Sequence, residues 1–293
     1  TNYFLDVVKE GIRTRYVLTL FEYLPAETLP FFIAYTDELK ADGLPVPNPV
    51  RDIRGRALHT LKNKPALIVQ CFRGKHPDPT ALTKDHCTQV GTILARIHTV
   101  SEKSRLHQKN QRGLPWLDEQ QKRLQPLLSQ EDAKYMKAQW LDISQSLRPF
   151  TRLPEGLIHG DLFHDNVLLD QGKISAVIDF YQACHDWLIY DLAVTVNDWC
   201  LTDSLQLDPG RFNALVNAYS QVRPFTEEEK AAWPLILRLA AFRFWISRII
   251  TFVHPEKPTD DEHQESLVRA FLDPDEFRDM LKLRTESAVP PLP

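Results

Sequence analysis

Asp161, Asn166 and Asp179 carry oxygen donors in an order that suits phosphoryl transfer. They lie in LIHGDLFHDNVLLDQGKISAVIDF, which opens on an apolar approach to His159-Gly160-Asp161. Asn166 comes five residues after Asp161. Val167 to Leu169 and Ile174 to Ile178 then read as a hairpin closed at Asp170-Gln171-Gly172-Lys173, and Asp179-Phe180 follows its second strand. Phosphoryl transfer needs a carboxylate to orient the attacking hydroxyl and accept its proton, and oxygen ligands for the metal on the phosphates. A loop can hold Asp161 at the γ-phosphate while Asn166 turns back to the metal and the hairpin returns Asp179 beside Asn166. One carboxylate and one amide oxygen, completed by phosphates and water, suit hard Mg²⁺ rather than zinc.

Taken singly, H-x-D and I-D-F are weak signals, because aspartate also caps helices and turns. Their ordered combination across 21 positions, with a hairpin between, carries the reading. The spacing H-x-D-x-x-x-x-N, strand, turn, strand, D-F matches the catalytic and metal-binding segments of protein kinases. His159 reads as an organiser of the loop, His164 receives no role, and Asp191 reads as a brace for the loop. Arg73-Gly74-Lys75-His76 is not a Walker A loop, since Ser or Thr and the upstream Gly are missing. No G-x-G occurs, and neither S-x-x-K nor G-x-S-x-G is present. Tyr181 follows Asp179-Phe180 where a protein kinase has Gly, and no A-P-E follows at activation-loop distance.

The elements that must position these groups fall into two sets. Residues 1–75 read as strands with one helix. TNYFLDVV and RYVLTLFEYL form a hairpin around Lys9-Glu10-Gly11. Leu29 to Asp42 reads as a helix stopped by Gly43 and Pro45. Residues 57–61 and 66–70 form a second strand pair. From Thr80 onward helices dominate: 82–99, one or two within 119–147, then 211–222, 226–253 and 264–285, with the β patch 157–180 interrupting them. The expected fold is therefore α+β, with a small β-rich lobe at 1–75 and a large, mainly helical lobe at 76–293. The opening residues read as a strand leaving a phosphate-covering loop, so the front of the chain is expected to be missing.

Composition agrees with a globular enzyme. The 39 acidic and 35 basic residues give a net charge of -4, so no broad basic field is available for nucleic acid. Cys71, Cys87, Cys184 and Cys200 form no C-x-x-C pair and read as small hydrophobes of a reducing cytoplasm. The apolar stretch 231–253 is long enough for a bilayer. It contains Arg238, Arg243 and Arg248, which are costly there, so a buried helix without membrane partnership is expected. Arg238 reads as a surface cation. Arg243 and Arg248 bracket Trp245 and must be partly buried, so each needs an anionic partner: an acceptor carboxylate, or Asp186 or Asp191.

At these residues the chain resembles the aminoglycoside phosphotransferase and choline kinase superfamily, which has a protein-kinase-like, two-lobed fold. The segment HGDLFHDNVLLDQGKISAVIDFYQACHDWLIYDLAVTVNDWC is similar to that of bacterial homoserine kinases of the kinase-like type. The likeness extends to NYFLDVV, YVLTLFE, GLPVPNPV, the 91–98 helix and FRFWISR. It implies ATP and Mg²⁺ as cofactors, Asp161 as catalytic base, Asn166 and Asp179 as metal ligands, and Gln70, Cys71 and Phe72 at an interlobe hinge against adenine. It further implies a small-molecule acceptor, with homoserine favoured in a step of threonine biosynthesis. Another alcohol kinase, acting on choline, a methylthio-sugar or an aminoglycoside, is the competing enzyme reading, and a non-catalytic nucleotide-binding protein is the alternative outside catalysis. Thr19 stands where many kinases place a phosphate-binding Lys, and Glu38 lies near the end of its helix rather than at the centre.

Overall fold

The computed structural model describes residues 1–22, 24–253 and 273–293. A four-stranded antiparallel sheet in the order β1-β2-β4-β3 opens the chain. Its strands are β1 (Asn2–Lys9), β2 (Ile12–Leu20), β3 (His59–Leu61) and β4 (Lys64–Gln70). Lys9 pairs with Ile12, so Glu10 and Gly11 form the two-residue turn, both at positive φ. Helix α1 (Leu29–Ala41) starts with a proline in its first turn and ends before Gly43 at φ +78°. It faces the rest of the molecule through Leu29, Phe32, Tyr35 and Leu39, all buried. The Tyr35 hydroxyl donates to the Leu157 carbonyl at 3.0 Å, tying α1 to the strand that leads into the catalytic loop.

The helical body begins with α2 (Lys84–Ser101), capped by Thr83, whose hydroxyl accepts from the His86 N–H. Next come α3 (Leu114–Leu124) and α4 (Gln130–Ser146), two helices across the 119–147 region. Helix α3 begins five residues before Glu119, because Gly113 and a proline in the first turn set its start. The remaining helices are α5 (Leu188–Trp199), α6 (Pro209–Val222), α7 (Glu227–Val253) and α8 (Pro274–Glu286). The expected helix start at 264–272 lies outside the described residues. Helices α2 and α6 approach backbone to backbone at Gly91, where a Cβ would meet the Leu215 carbonyl at 2.3 Å. Almost every residue of α5 is buried, which makes it the central post of the body.

Two small sheets carry the loops. Strands β6 (Val167–Asp170) and β7 (Lys173–Val177) form the expected hairpin. Strand β5 (Glu155–Ile158) pairs with β8 (Cys184–Trp187). The sequence reading had no strand at 184–187, since CHDW is short, polar and without alternation; pairing to β5 makes it a strand. Cys87, Cys184 and Cys200 are buried, while Cys71 is half-buried. Arg238 is a correction. Its side chain is only 16% exposed and pairs with Asp142 at 2.7 Å and with the Gln139 amide oxygen at 2.9 Å. It is therefore a helix-to-helix clamp rather than a free surface cation. Among the described residues no helix is long and apolar enough to cross a membrane.

Candidate active site

The candidate catalytic loop runs from the end of β5 to the start of β6, and its shape is set by buried polar groups. Gly160 takes φ +78°, and a Cβ there would sit 3.0 Å from the Gln182 carbonyl. The Asp191 carboxylate, on α5, accepts from the backbone N–H groups of His159 and Gly160, both at 2.8 Å. It also pairs with His98 Nε2 at 3.1 Å. Burial alone would push the Asp191 pKa up; the hydrogen bond and charge of His98, with help from His159, outweigh that and hold it below the usual carboxylate range.

The rest of this chain of bonds follows from Asp191 being an acceptor. His98 Nε2–H donates to it, so Nδ1 accepts from the Tyr219 hydroxyl at 2.7 Å. That hydroxyl accepts in turn from Arg223 at 3.2 Å, and Arg223 pairs with Glu229 at 2.9 Å. Burial lowers the His98 pKa despite the pull of Asp191. Five side chains from α2, α5, α6 and α7 and their junctions thus fix one backbone turn ahead of Asp161.

His159 organises the loop, as its place in the motif suggested. Its Nε2–H donates to the Ile178 carbonyl at 2.9 Å, and its Nδ1 accepts from the Asp161 N–H at 3.3 Å. Its ring packs on Phe180 with centroids 4.6 Å apart. The histidine therefore joins the catalytic loop to the strand end bearing Asp179. Asn166, buried at the base of the loop, donates from Nδ2 to the Asp161 carbonyl at 2.6 Å, and its own carbonyl accepts from the Ile178 N–H at 2.9 Å. Those bonds bring Asp161, Asn166 and Asp179 to one place. Asp179 sits in the left-handed region at φ 63°, an uncommon conformation for a non-glycine residue. It keeps an open face toward the cleft but is enclosed elsewhere; that desolvation, and then the nearby Asp161 charge, raise its pKa.

The other expected site residues are placed as follows. Gln70 ends β4, and the Cys71 N–H is already used by the Arg15 carbonyl at 3.0 Å. Cys71 and Phe72 are half-buried beside it. Thr19 donates its hydroxyl to Asn2 Oδ1 at 2.8 Å within the β1–β2 hairpin, so it supplies no cation. Arg243 is 6% exposed, and its guanidinium lies 4.2 Å from the Phe244 ring centroid. Among the described residues it pairs with neither Asp186 nor Asp191. The Arg248 guanidinium lies 5.7 Å from the Phe277 centroid, and burial lowers its pKa against the pull of Asp161. His164, given no role from sequence, is held by Asp198, which accepts its N–H at 2.6 Å and contacts Nδ1 at 2.9 Å.

A cavity of about 290 Å³ opens beside Gly160, lined also by Asn110, Arg112, Tyr190 and Arg243. Arg112 and Asn110 lie in KNQRGLP, a polar loop with no motif to mark it, and sequence reasoning missed both. The only local signal was the proline-initiated helix that follows.

Comparison with known proteins gives the same direction. The model of a family described as phosphotransferase enzyme family matches residues 1–225. The homoserine kinase of Methylobacillus flagellatus is 43% identical over 256 residues, 87% of this chain and 78% of that protein. The homoserine kinase of Pseudomonas aeruginosa is 43% identical over 236 residues, 80% of this chain and 74% of that protein. Among solved structures, an amicoumacin kinase in complex with AMP-PNP, Ca²⁺ and Ami superposes with a TM-score of 0.69 at 16% identity. It covers 96% of this chain and 85% of the other.

Proposed function

This chain belongs to the phosphotransferase enzyme family, and from that premise we propose that it transfers the γ-phosphoryl group of ATP to the side-chain hydroxyl of L-homoserine. The observation that carries the acceptor is the 43% identity to homoserine kinases over most of the chain. The fold is α+β of the kind seen in small-molecule kinases. The nucleotide is assigned to the lobe at 1–75 and the acceptor to the lobe at 76–293.

Asp161 is the proposed catalytic base. As the hydroxyl oxygen attacks the γ-phosphorus, its proton passes to the Asp161 carboxylate, and the phosphoryl–ADP bond breaks. Asn166 and Asp179 are the proposed ligands for Mg²⁺. The donor chemistry fits: both offer an oxygen, and Asp161 and Asp179 are near enough for the charge of one to raise the pKa of the other, after desolvation. Phosphate oxygens and water would complete the shell. When bound, Mg²⁺ would neutralise charge on the phosphates. Adenine is assigned to main-chain groups of Gln70 and Phe72, with Cys71 as the residue between them.

An ADP-release assay with homoserine, choline and an aminoglycoside tests the acceptor. Homoserine-dependent release that exceeds the others at equal concentration is expected; release with choline or the aminoglycoside alone contradicts the reading. Asp179→Ala tests the metal assignment. It should raise the Mg²⁺ concentration for half-maximal rate and lower kcat, by about tenfold or more each, since one of two protein ligands is lost. An unchanged Mg²⁺ dependence would remove Asp179 from the metal site.

A further inference from the structure

The cavity beside Gly160 has a second recess next to it. The two share Lys109, Asn110, Arg112, Tyr190 and Arg243, and the second adds Asp186. The shared lining is strongly charged. Arg112 and Arg243 both belong to it, and burial, then the Arg243 charge, lower the Arg112 pKa, while Asp161 pulls the other way. Arg112 is open to the cleft, and Arg243 is buried behind it. Neither forms an ion pair with a carboxylate among the described residues. Arg243 is a buried cation without a carboxylate partner among the described residues, which is costly unless a ligand supplies the anion.

The recess also holds two carboxylates of its own, Glu155, which lies 3.8 Å from His185 Nδ1, and Asp186. The Asp186 carboxylate accepts from the Asn110 side-chain amide and, at 2.7 Å, from the Trp187 N–H. It is only partly exposed, and Tyr190 stands near both it and Arg243. The two recesses thus share Arg112, Arg243 and Lys109; the second adds the Asp186 carboxylate, and the first is lined by Gly160, next in the chain to Asp161, whose charge reaches Arg112. That pattern complements an α-amino acid whose carboxylate and ammonium share one carbon and whose hydroxyl projects away from them. A guanidinium fork matches a carboxylate in shape as well as charge.

Resting on the homoserine reading, we propose that Arg112 and Arg243 together grip the α-carboxylate of the acceptor, that Asp186 receives its α-ammonium, and that the head group so held points the hydroxyl at Asp161. Arg248 does not line this cavity, which leaves Arg243 as the acceptor contact of the two expected from sequence. The three side chains set specificity. They touch the head group and not the reacting atoms, so their loss should fall on KM and on the choice between acceptors.

Two analogues isolate the two charges. 3-Aminopropan-1-ol is homoserine without its carboxylate, and 4-hydroxybutanoate is homoserine without its ammonium. Each is measured as a substrate or, where it is not turned over, as an inhibitor against homoserine. Arg112→Gln should raise KM for homoserine by about tenfold to a hundredfold, with the KM or Ki of 3-aminopropan-1-ol unchanged. Asp186→Asn should do the same for homoserine and leave 4-hydroxybutanoate unchanged. Arg112→Lys, which keeps the charge but loses the fork, should fall between wild type and Arg112→Gln. Arg112 carries the test because it is open to the cleft and its replacement leaves the core intact. Equal losses on homoserine and 3-aminopropan-1-ol, or no loss on either, overturn the assignment while the homoserine reading stands. A wild-type protein that does not phosphorylate homoserine overturns the substrate reading, and this assignment with it.

Discussion

Asp161→Asn should lower kcat by about 10²–10⁴-fold, the usual contribution of a positioned general base. The substitution is close to isosteric. The loop should keep its shape, because Asn166 is held through the Asp161 backbone carbonyl, and the turn ahead of it is held by Asp191. What disappears is the group that takes the hydroxyl proton. KM for ATP should therefore change little. Steady-state kinetics with both substrates varied checks this; a variant that retains near-full kcat would exclude Asp161 as the base. Each tenfold of the loss corresponds to about 1.4 kcal/mol of barrier.

Asp191→Ala should be the most destabilising single change near the site. The carboxylate accepts from two buried backbone N–H groups and from His98. An unsatisfied buried donor costs about 1–3 kcal/mol, and breaking a buried charged network by removing one member costs about 3–5 kcal/mol. That is a large share of the roughly 5–15 kcal/mol by which a typical domain is stable. Equilibrium denaturation should show a marked fall in the midpoint. In the surviving folded fraction kcat should also fall, because Gly160 and Asp161 lose their anchor. Asp191→Asn should be milder, since one oxygen can still accept. An Asp191→Ala protein with the wild-type midpoint and kcat would show that the loop is held by something else.

The proximity of the three candidate groups was legible because their spacing in the chain maps directly onto a loop, a hairpin and a strand end. Asp161, Asn166 and Asp179 are within 21 positions, and short-range hydrogen bonds bring them together. The N-terminal hairpin was legible for the same reason, with β-branched and aromatic strands around Glu10-Gly11. Groups that meet through tertiary packing left no such trace. Arg112 and Arg243 are separated by more than a hundred residues, and only the approach of α7 to the loop before α3 places both on one cavity. The His98–Asp191–Tyr219 chain joins three helices; Asp191 was read as a brace for the loop, but nothing in the sequence pairs it with His98 or Tyr219. Arg238 was misjudged because a cation on an otherwise apolar helix gives no hint that Asp142 waits on a neighbouring one. Strand β8 exists only because β5 offers it a partner.

The central claim is transfer of phosphate to the homoserine hydroxyl with Asp161 as base, and phosphorus NMR of the reaction products tests it most directly. With ATP, Mg²⁺ and L-homoserine, a new phosphomonoester signal should grow in step with ADP, split into a triplet by the adjacent methylene protons. Its rate should be at least about a hundredfold above that of the Asp161→Asn variant. Formation of inorganic phosphate and ADP alone, or a phosphomonoester made as fast by the variant, would contradict the account.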